Sequence, residues 1–244
     1  MSRRVRLGML TPSSNTVLEP LTSAILADVP GVTAHFARFR VTEIALSDGA
    51  LGQFDDANLV AAAALLADAR VDVIAWNGTS AGWLGFDADR HLCQRITEVT
   101  GIPATSSVLA LEEVLRATGV TRLGLVTPYL DEVQQRIIAA FGAAGFTTVA
   151  ERHLRERVNF AFAEVPREAI AVMVRAVAAE RPQAITTFCT NLDAAALAAP
   201  LERELGLPIY DTVSTAVWKS LCLAGVDPRA VKGWGRLFET PVRA

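Results

Sequence analysis

Val5-Arg6-Leu7-Gly8-Met9-Leu10-Thr11-Pro12-Ser13 and Thr121-Arg122-Leu123-Gly124-Leu125-Val126-Thr127-Pro128-Tyr129 are the same phrase written twice, offset by 116 residues from Arg6 to Arg122. Each is a short apolar run that ends in a turn, the pattern of a buried strand. Two further anchors keep the order. Ile74-Ala75-Trp76-Asn77-Gly78-Thr79 is answered by Ile185-Thr186-Thr187-Phe188-Cys189-Thr190, with an offset of 111 from Gly78 to Cys189. Gly101-Ile102-Pro103 is answered by Gly206-Leu207-Pro208, with an offset of 105 from Gly101 to Gly206. Each last anchor leads into a similar helix, closing with Ala117-Thr118-Gly119-Val120 and Leu223-Ala224-Gly225-Val226. The chain therefore reads as two copies of one βα unit, and short loop deletions account for the drift in offset.

Strands alternating with helices imply parallel sheets covered on both faces. The expected fold class is α/β: two pseudo-symmetric βα halves, each a parallel sheet flanked by helices, with the active site in the cleft between them. The expected halves are residues 1–118 and 119–226. Residues 227–244, which contain Lys232-Gly233-Trp234-Gly235-Arg236-Leu237-Phe238, form a tail expected to pack back, grouped with the first half. Within the first half the spacing predicts a strand at 5–10, a helix at 17–29 and a strand at 32–40. A loop at 44–54, a helix at 55–69 and a strand at 71–76 follow. A helix at 87–100, a strand at 102–105 and a helix at 107–118 complete it.

The bulk composition narrows the function. With 244 residues and 51% hydrophobic content, the chain can bury a large core. A net charge of −3 and the lack of a basic block argue against nucleic acid. No apolar run approaches the ~20 residues of a membrane span. The start, Met1-Ser2-Arg3-Arg4-Val5-Arg6, leads straight into a strand without a signal-peptide pattern, so a soluble, cytoplasmic protein is expected. Cys93, Cys189 and Cys222 are an odd number without zinc-like spacing, and His35, His91 and His153 are scattered, so no metal is expected. Neither GxxxxGK[ST] nor GxGxxG occurs, and no cofactor is expected. The sequence leaves the oligomeric state open between a monomer and a homo-oligomer.

Ligands of parallel sheets bind at the carboxyl ends of the strands. Four polar turns stand there, after Leu10, Trp76, Val126 and Phe188. Cys189, beside Thr190 and Asn191, precedes an alanine-rich segment, so it is expected at a strand-to-helix turn. Backbone N–H groups and a helix dipole at such a turn can leave a thiol partly ionised, and the sequence leaves the resting ionisation of Cys189 open. Cys93 and Cys222 sit among apolar helical residues and read as packing. The counterpart of Cys189 is Gly78, so a reaction needing two cysteines is excluded and a one-sided proton donor remains.

Tyr129 takes the place of Ser13 in the repeat, and its phenol could donate to an oxyanion. Thr79 and Ser80 offer hydroxyls in the same cleft, while a hydroxyl at such a turn also serves as a helix cap. Ser13, Ser14 and Asn15 form the first turn, where Asn15 is either a carboxylate donor or an Asx cap. Asn159 lies just ahead of a helix and is either a site residue or its start signal. None of the four turns carries Lys or Arg, so an anion must be held by N–H and O–H groups, which suits a small carboxylate. Trp76, Trp83, Leu84, Phe160 and Phe162 are the apolar residues expected near the cleft.

These motifs resemble the aspartate/glutamate racemase superfamily over essentially the whole chain. Thr11-Pro12-Ser13-Ser14-Asn15-Thr16 looks like the opening of maleate cis-trans isomerases. Gly78-Thr79-Ser80, Tyr129-Leu130-Asp131-Glu132-Val133, Cys189 and Gly233-Trp234-Gly235-Arg236-Leu237-Phe238 look like arylmalonate decarboxylase. In the racemases and the isomerase each half supplies a cysteine, the first at the position of Gly78. The decarboxylase resemblance implies that Cys189 protonates a product carbanion. It also implies a dioxyanion hole from Thr79, Ser80, Tyr129 and the backbone at Cys189 and Thr190. Thr190-Asn191 replaces the glycine pair that follows that enzyme's cysteine. The leading expectation is a cofactor-independent decarboxylase of a malonate-type acid. The alternatives are a maleate isomerase-like or racemase-like isomerase, and a non-catalytic carboxylate-binding protein.

Overall fold

The computed structural model describes residues 4–240; residues 1–3 and 241–244, the outer ends of the expected first half and tail, lie outside the described residues. The first half runs β1 (Val5–Pro12), α1 (Leu18–Leu26), β2 (Val32–Phe39), α2 (Asp48–Gly52) and α3 (Asp56–Asp68). It continues through β3 (Val73–Trp76), α4 (Ala81–Leu84), α5 (Phe86–Thr100), β4 (Ala104–Ser106) and α6 (Ser107–Ala117). The second runs β5 (Arg122–Thr127), α7 (Asp131–Ala143), β6 (Thr147–His153), α8 (Asn159–Phe162) and α9 (Arg167–Ala178). It ends with β7 (Ala184–Thr187), α10 (Ala198–Leu205), β8 (Ile209–Asp211) and α11 (Thr212–Leu223).

Two four-stranded sheets result, ordered β2-β1-β3-β4 and β6-β5-β7-β8, and every pairing within them is parallel. Strands β3 and β7 are buried at every position, β3 as an apolar run and β7 with Thr186 and Thr187 among its buried residues. The sequence repeat has a direct physical basis in the caps. Gly101 and Gly206 end α5 and α10 in the left-handed region, at φ 70° and 75°, where only glycine is unstrained. Ser106 and Asp211, again counterparts, cap α6 and α11 through their side chains.

The two halves meet through α6 and α11, where the Thr215 hydroxyl donates to the Ser107 carbonyl at 2.9 Å and Lys219 pairs with Glu113. In the tail, Leu237 and Phe238 are buried, and the Arg236 amide donates to Glu202 Oε2 at 2.8 Å.

Two local expectations are corrected. The stretch 44–54 is not all loop: Ser47 caps Ala50 and α2 forms despite Gly49 and Gly52, because Ala50 is fully buried and anchors the turn. The helix after Cys189 does not start at once; a 3₁₀ turn at Ala195–Leu197 comes first and α10 begins only at Ala198. Among the described residues no helix is long and apolar enough to cross a membrane.

Candidate active site

All four polar turns converge where the carboxyl ends of the two sheets face each other. Tyr129, two residues beyond β5, reaches across to the first half, and its hydroxyl lies 2.6 Å from Thr79 Oγ1. The same hydroxyl is in hydrogen-bonding contact with the Cys189 thiol. From the other side, Asn15 Nδ2 donates to the Thr190 carbonyl at 3.1 Å and to its hydroxyl at 3.3 Å. Thr190 Oγ1 donates in turn to the Asn77 carbonyl at 3.0 Å. The turn after each central strand is thus tied to the opposite half, with Cys189, Tyr129, Thr79 and Thr190 in one buried cluster.

Cys189 is 2% exposed, but its sulfur is not wrapped in hydrocarbon alone: the Asn191 amide donates to Sγ at 3.4 Å. The sequence leaves the resting ionisation of this thiol open, and burial bears on it. Burial pushes the Cys189 thiol up to about 12, and the Tyr129 hydroxyl and the Asn191 and Leu192 amides offset only part of that. The helix N-terminus invoked from sequence stands too far along the chain to help, since α10 begins at Ala198. Burial thus favours the protonated thiol, a form suited to giving a proton rather than attacking a carbon. Burial, and next the Cys189 charge, hold Tyr129 well above its ordinary value, so it too is a donor.

Among the described residues the backbone N–H groups of Thr79, Ser80, Cys189 and Thr190 meet no acceptor, although all four residues are buried. Buried amides are nearly always paired, so these two turns hold donors available to an incoming acceptor. Ser80 is the N-cap residue of α4, yet its hydroxyl makes no cap bond.

Asn15 and Asn159 each had two readings. Asn15 does both jobs: Oδ1 accepts from the Val17 and Leu18 amides and caps α1, while Nδ2 serves Thr190. Asn159 opens α8 without capping it; Nδ2 reaches across to Ser14 Oγ at 2.8 Å, and Ser14 donates to the Val41 carbonyl. Ser13 is not brought to the cluster. It is exposed, and its hydroxyl is held by the Val41 backbone. Of the apolar residues expected near the cleft, Trp76, Trp83 and Phe162 are buried. Leu84 and Phe160 are 43% and 50% exposed and are corrected to surface residues, because each lies on the outer face of a one-turn helix.

Sequence reading missed Asn191 as a site residue. Its Oδ1 accepts from the Thr16 amide at 3.0 Å and its Nδ2 donates to the Asn159 carbonyl at 2.6 Å, joining three turns. The signal was present, as a polar residue two places beyond the cysteine. Two buried carboxyls were also missed. Asp211 accepts from Thr187 Oγ1 at 2.8 Å, and Asp89 stands near Trp76 and Ser106; burial pushes both up to about 7. Among the described residues no group of three or more His, Cys, Asp and Glu is placed to hold a metal ion.

Comparison with known proteins places this geometry. The family model for arylmalonate decarboxylase matches residues 15–238. A maleate isomerase of Nocardia farcinica is 28% identical over 241 residues, covering 96% of this chain and 95% of that protein. An arylmalonate decarboxylase of Bordetella bronchiseptica is 31% identical over 170 residues, covering 68% and 71%. A solved cysteine-to-serine mutant of the Nocardia farcinica maleate cis-trans isomerase, with a covalently bound succinylcysteine intermediate, superposes with a TM-score of 0.89 at 25% identity, over 98% of this chain and 99% of that one. Unliganded arylmalonate decarboxylase superposes with a TM-score of 0.78 at 26% identity, over 97% and 100%. The relatives are enzymes, and both names recur among them.

Proposed function

We propose, on the premise that this chain belongs to the arylmalonate decarboxylase family, that it removes CO2 from a malonate-type dicarboxylic acid and protonates the product on one face. The observation that carries this reading is the lopsided pair of walls. Cys189 stands beside Tyr129 on one wall, and its counterpart Gly78 has neither a side chain nor room for one.

In this mechanism one carboxylate sits on the unpaired amides of Thr79, Ser80, Cys189 and Thr190, with Tyr129, Thr79 and Ser80 supplying hydroxyls. The bond between C2 and the second carboxylate breaks. Neutral CO2 leaves, and the electron pair stays on an enediolate held by the same donors. Cys189 gives its proton to C2 and is left as a thiolate that regains a proton from solvent. A thiol held near 12 is a weak acid in water, but the enediolate carbon is a far stronger base, so transfer runs downhill. Asn15, Asn159 and Ser14 set the other side of the cleft and orient the substituents. Ser13 braces Ser14 through Val41. No step needs a cofactor. We read 1–118 and 119–226 as the halves that supply one wall each. A cytoplasmic setting fits the free thiols Cys93, Cys189 and Cys222.

The second reading is a maleate-type isomerase working with Cys189 alone. It is favoured by the Asn15 and Asn159 side chains that span the two halves and by the relatives named maleate isomerase. Against it stands the bare wall opposite Cys189: Gly78 has no side chain and no room for one, so among the described residues no second thiol faces the first across the cleft. Incubation with methyl(phenyl)malonate and, separately, with maleate, followed by NMR, separates the two. The proposal expects 2-phenylpropionate from the first and no fumarate from the second. Fumarate with no decarboxylation refutes it, and conversion of neither leaves a carboxylate-binding protein.

A further inference from the structure

Each half of the repeat has a residue two places before the position that decides the chemistry: Trp76 before Gly78, and Thr187 before Cys189. The sizes are exchanged. In the second half the small Thr187 turns its hydroxyl to Asp211, and position 189 carries a full side chain. In the first half the indole of Trp76 fills the space into which a side chain at 78 would project. A Cβ built on Gly78 would stand 1.9 Å from Trp76 Cζ2, 2.3 Å from Cη2 and 2.5 Å from Cε2, far inside any real contact.

The indole is held in place. Trp76 is buried, with Phe39 at 5.1 Å and Phe54 at 6.5 Å between ring centroids, and its indole N–H faces Asp89. Close packing of this kind leaves no rotamer into which a large ring can retreat.

We propose that Trp76 is a specificity-determining residue: its indole, rather than the glycine by itself, keeps the first wall free of a side chain and so holds the site to a single thiol. The steric part stands alone; its consequence for the reaction rests on the decarboxylase reading above. Conversely, shortening Trp76 to the threonine of the other half is what would admit a second thiol opposite Cys189.

A double-mutant cycle tests this. Trp76→Thr, Gly78→Cys and the double variant are compared by thermal unfolding, with Gly78→Ala and Trp76→Thr/Gly78→Ala as a parallel cycle in case the thiol variants do not fold. Gly78→Cys and Gly78→Ala alone are expected to lower Tm by about 5–10 °C through overpacking. Each double variant is expected to lie at least about 3 °C above the sum of its single effects, because the added side chain occupies the space the indole vacates. A soluble double variant beside an insoluble Gly78→Cys counts the same way. Additive shifts, or a Gly78→Cys protein as stable as the parent, overturn the proposal. A second arm incubates one enantiomer of 2-phenylpropionate in D2O. Exchange and racemisation in the double variant, at least about tenfold faster than in the parent, support both the inference and the decarboxylase reading. Coupling in Tm without exchange supports the steric inference and counts against that reading.

Discussion

Replacing Asp89 with asparagine probes how much the first wall costs the fold. Asp89 is 2% exposed, and among the described residues its Oδ2 meets no hydrogen-bond donor. Burial raises the carboxyl from 3.8 to about 7, with Ser106 and the Trp76 indole holding it back from rising further. The sign follows from proton counting. Between about 4 and about 7 the folded chain keeps a proton that the unfolded chain has lost, so stability falls as pH rises through that window and is level above it. At most about 4 kcal/mol is withheld once the group is fully ionised. Asp89→Asn removes this ionisation and little volume. From pH 5 to pH 8, the variant is therefore expected to gain about 2–3 kcal/mol relative to the parent, part of the drop falling below pH 5. Asp211 titrates in both proteins and cancels from the difference. Urea unfolding at the two pH values reads the change as a shift of midpoint at constant slope. A stability difference between variant and parent that is the same at both pH values, within about 0.5 kcal/mol, would refute the reasoning.

Three further outcomes are expected. Tyr129→Phe removes the hydroxyl that touches both Thr79 and Cys189, and kcat should fall about 10²–10³-fold while the fold survives, as read by turnover and circular dichroism. Asn191→Ala strands the Thr16 amide and the Asn159 carbonyl and should cost about 1–3 kcal/mol in chemical denaturation, with KM raised. Cys189, held at about 12, should be alkylated by iodoacetamide at pH 8 about 10³-fold more slowly than an ordinary thiol; peptide mass spectrometry that finds it the fastest of the three cysteines would contradict this.

The fold was legible because the repeat is built from strong local signals. Gly101 and Gly206 stop helices by backbone geometry, and Ser106 and Asp211 start them by side-chain capping, so counterpart residues do counterpart work. Cys189, Tyr129, Thr79 and Asn15 were legible for the same reason, since strand ends place them. Other features depend on which way a side chain turns, and periodicity does not record that. Ser13 and Ser14 are neighbours, yet one faces solvent and the other meets Asn159. Asp89 reads as an acidic first-turn residue of α5, suited to the helix dipole, and only packing shows it turned inward. The ionisation of Cys189 is not legible in the sequence because burial competes with the turn's donors, and that balance needs the third dimension.

The role of Cys189 is tested most directly by turning over methyl(phenyl)malonate in D2O with the parent and with Cys189→Ser. The parent should yield 2-phenylpropionate deuterated at C2 as a single enantiomer, and the variant should be slower by about 10²–10⁴-fold. A serine variant that keeps full turnover, or a parent that gives racemic product, would contradict proton delivery from this one sulfur.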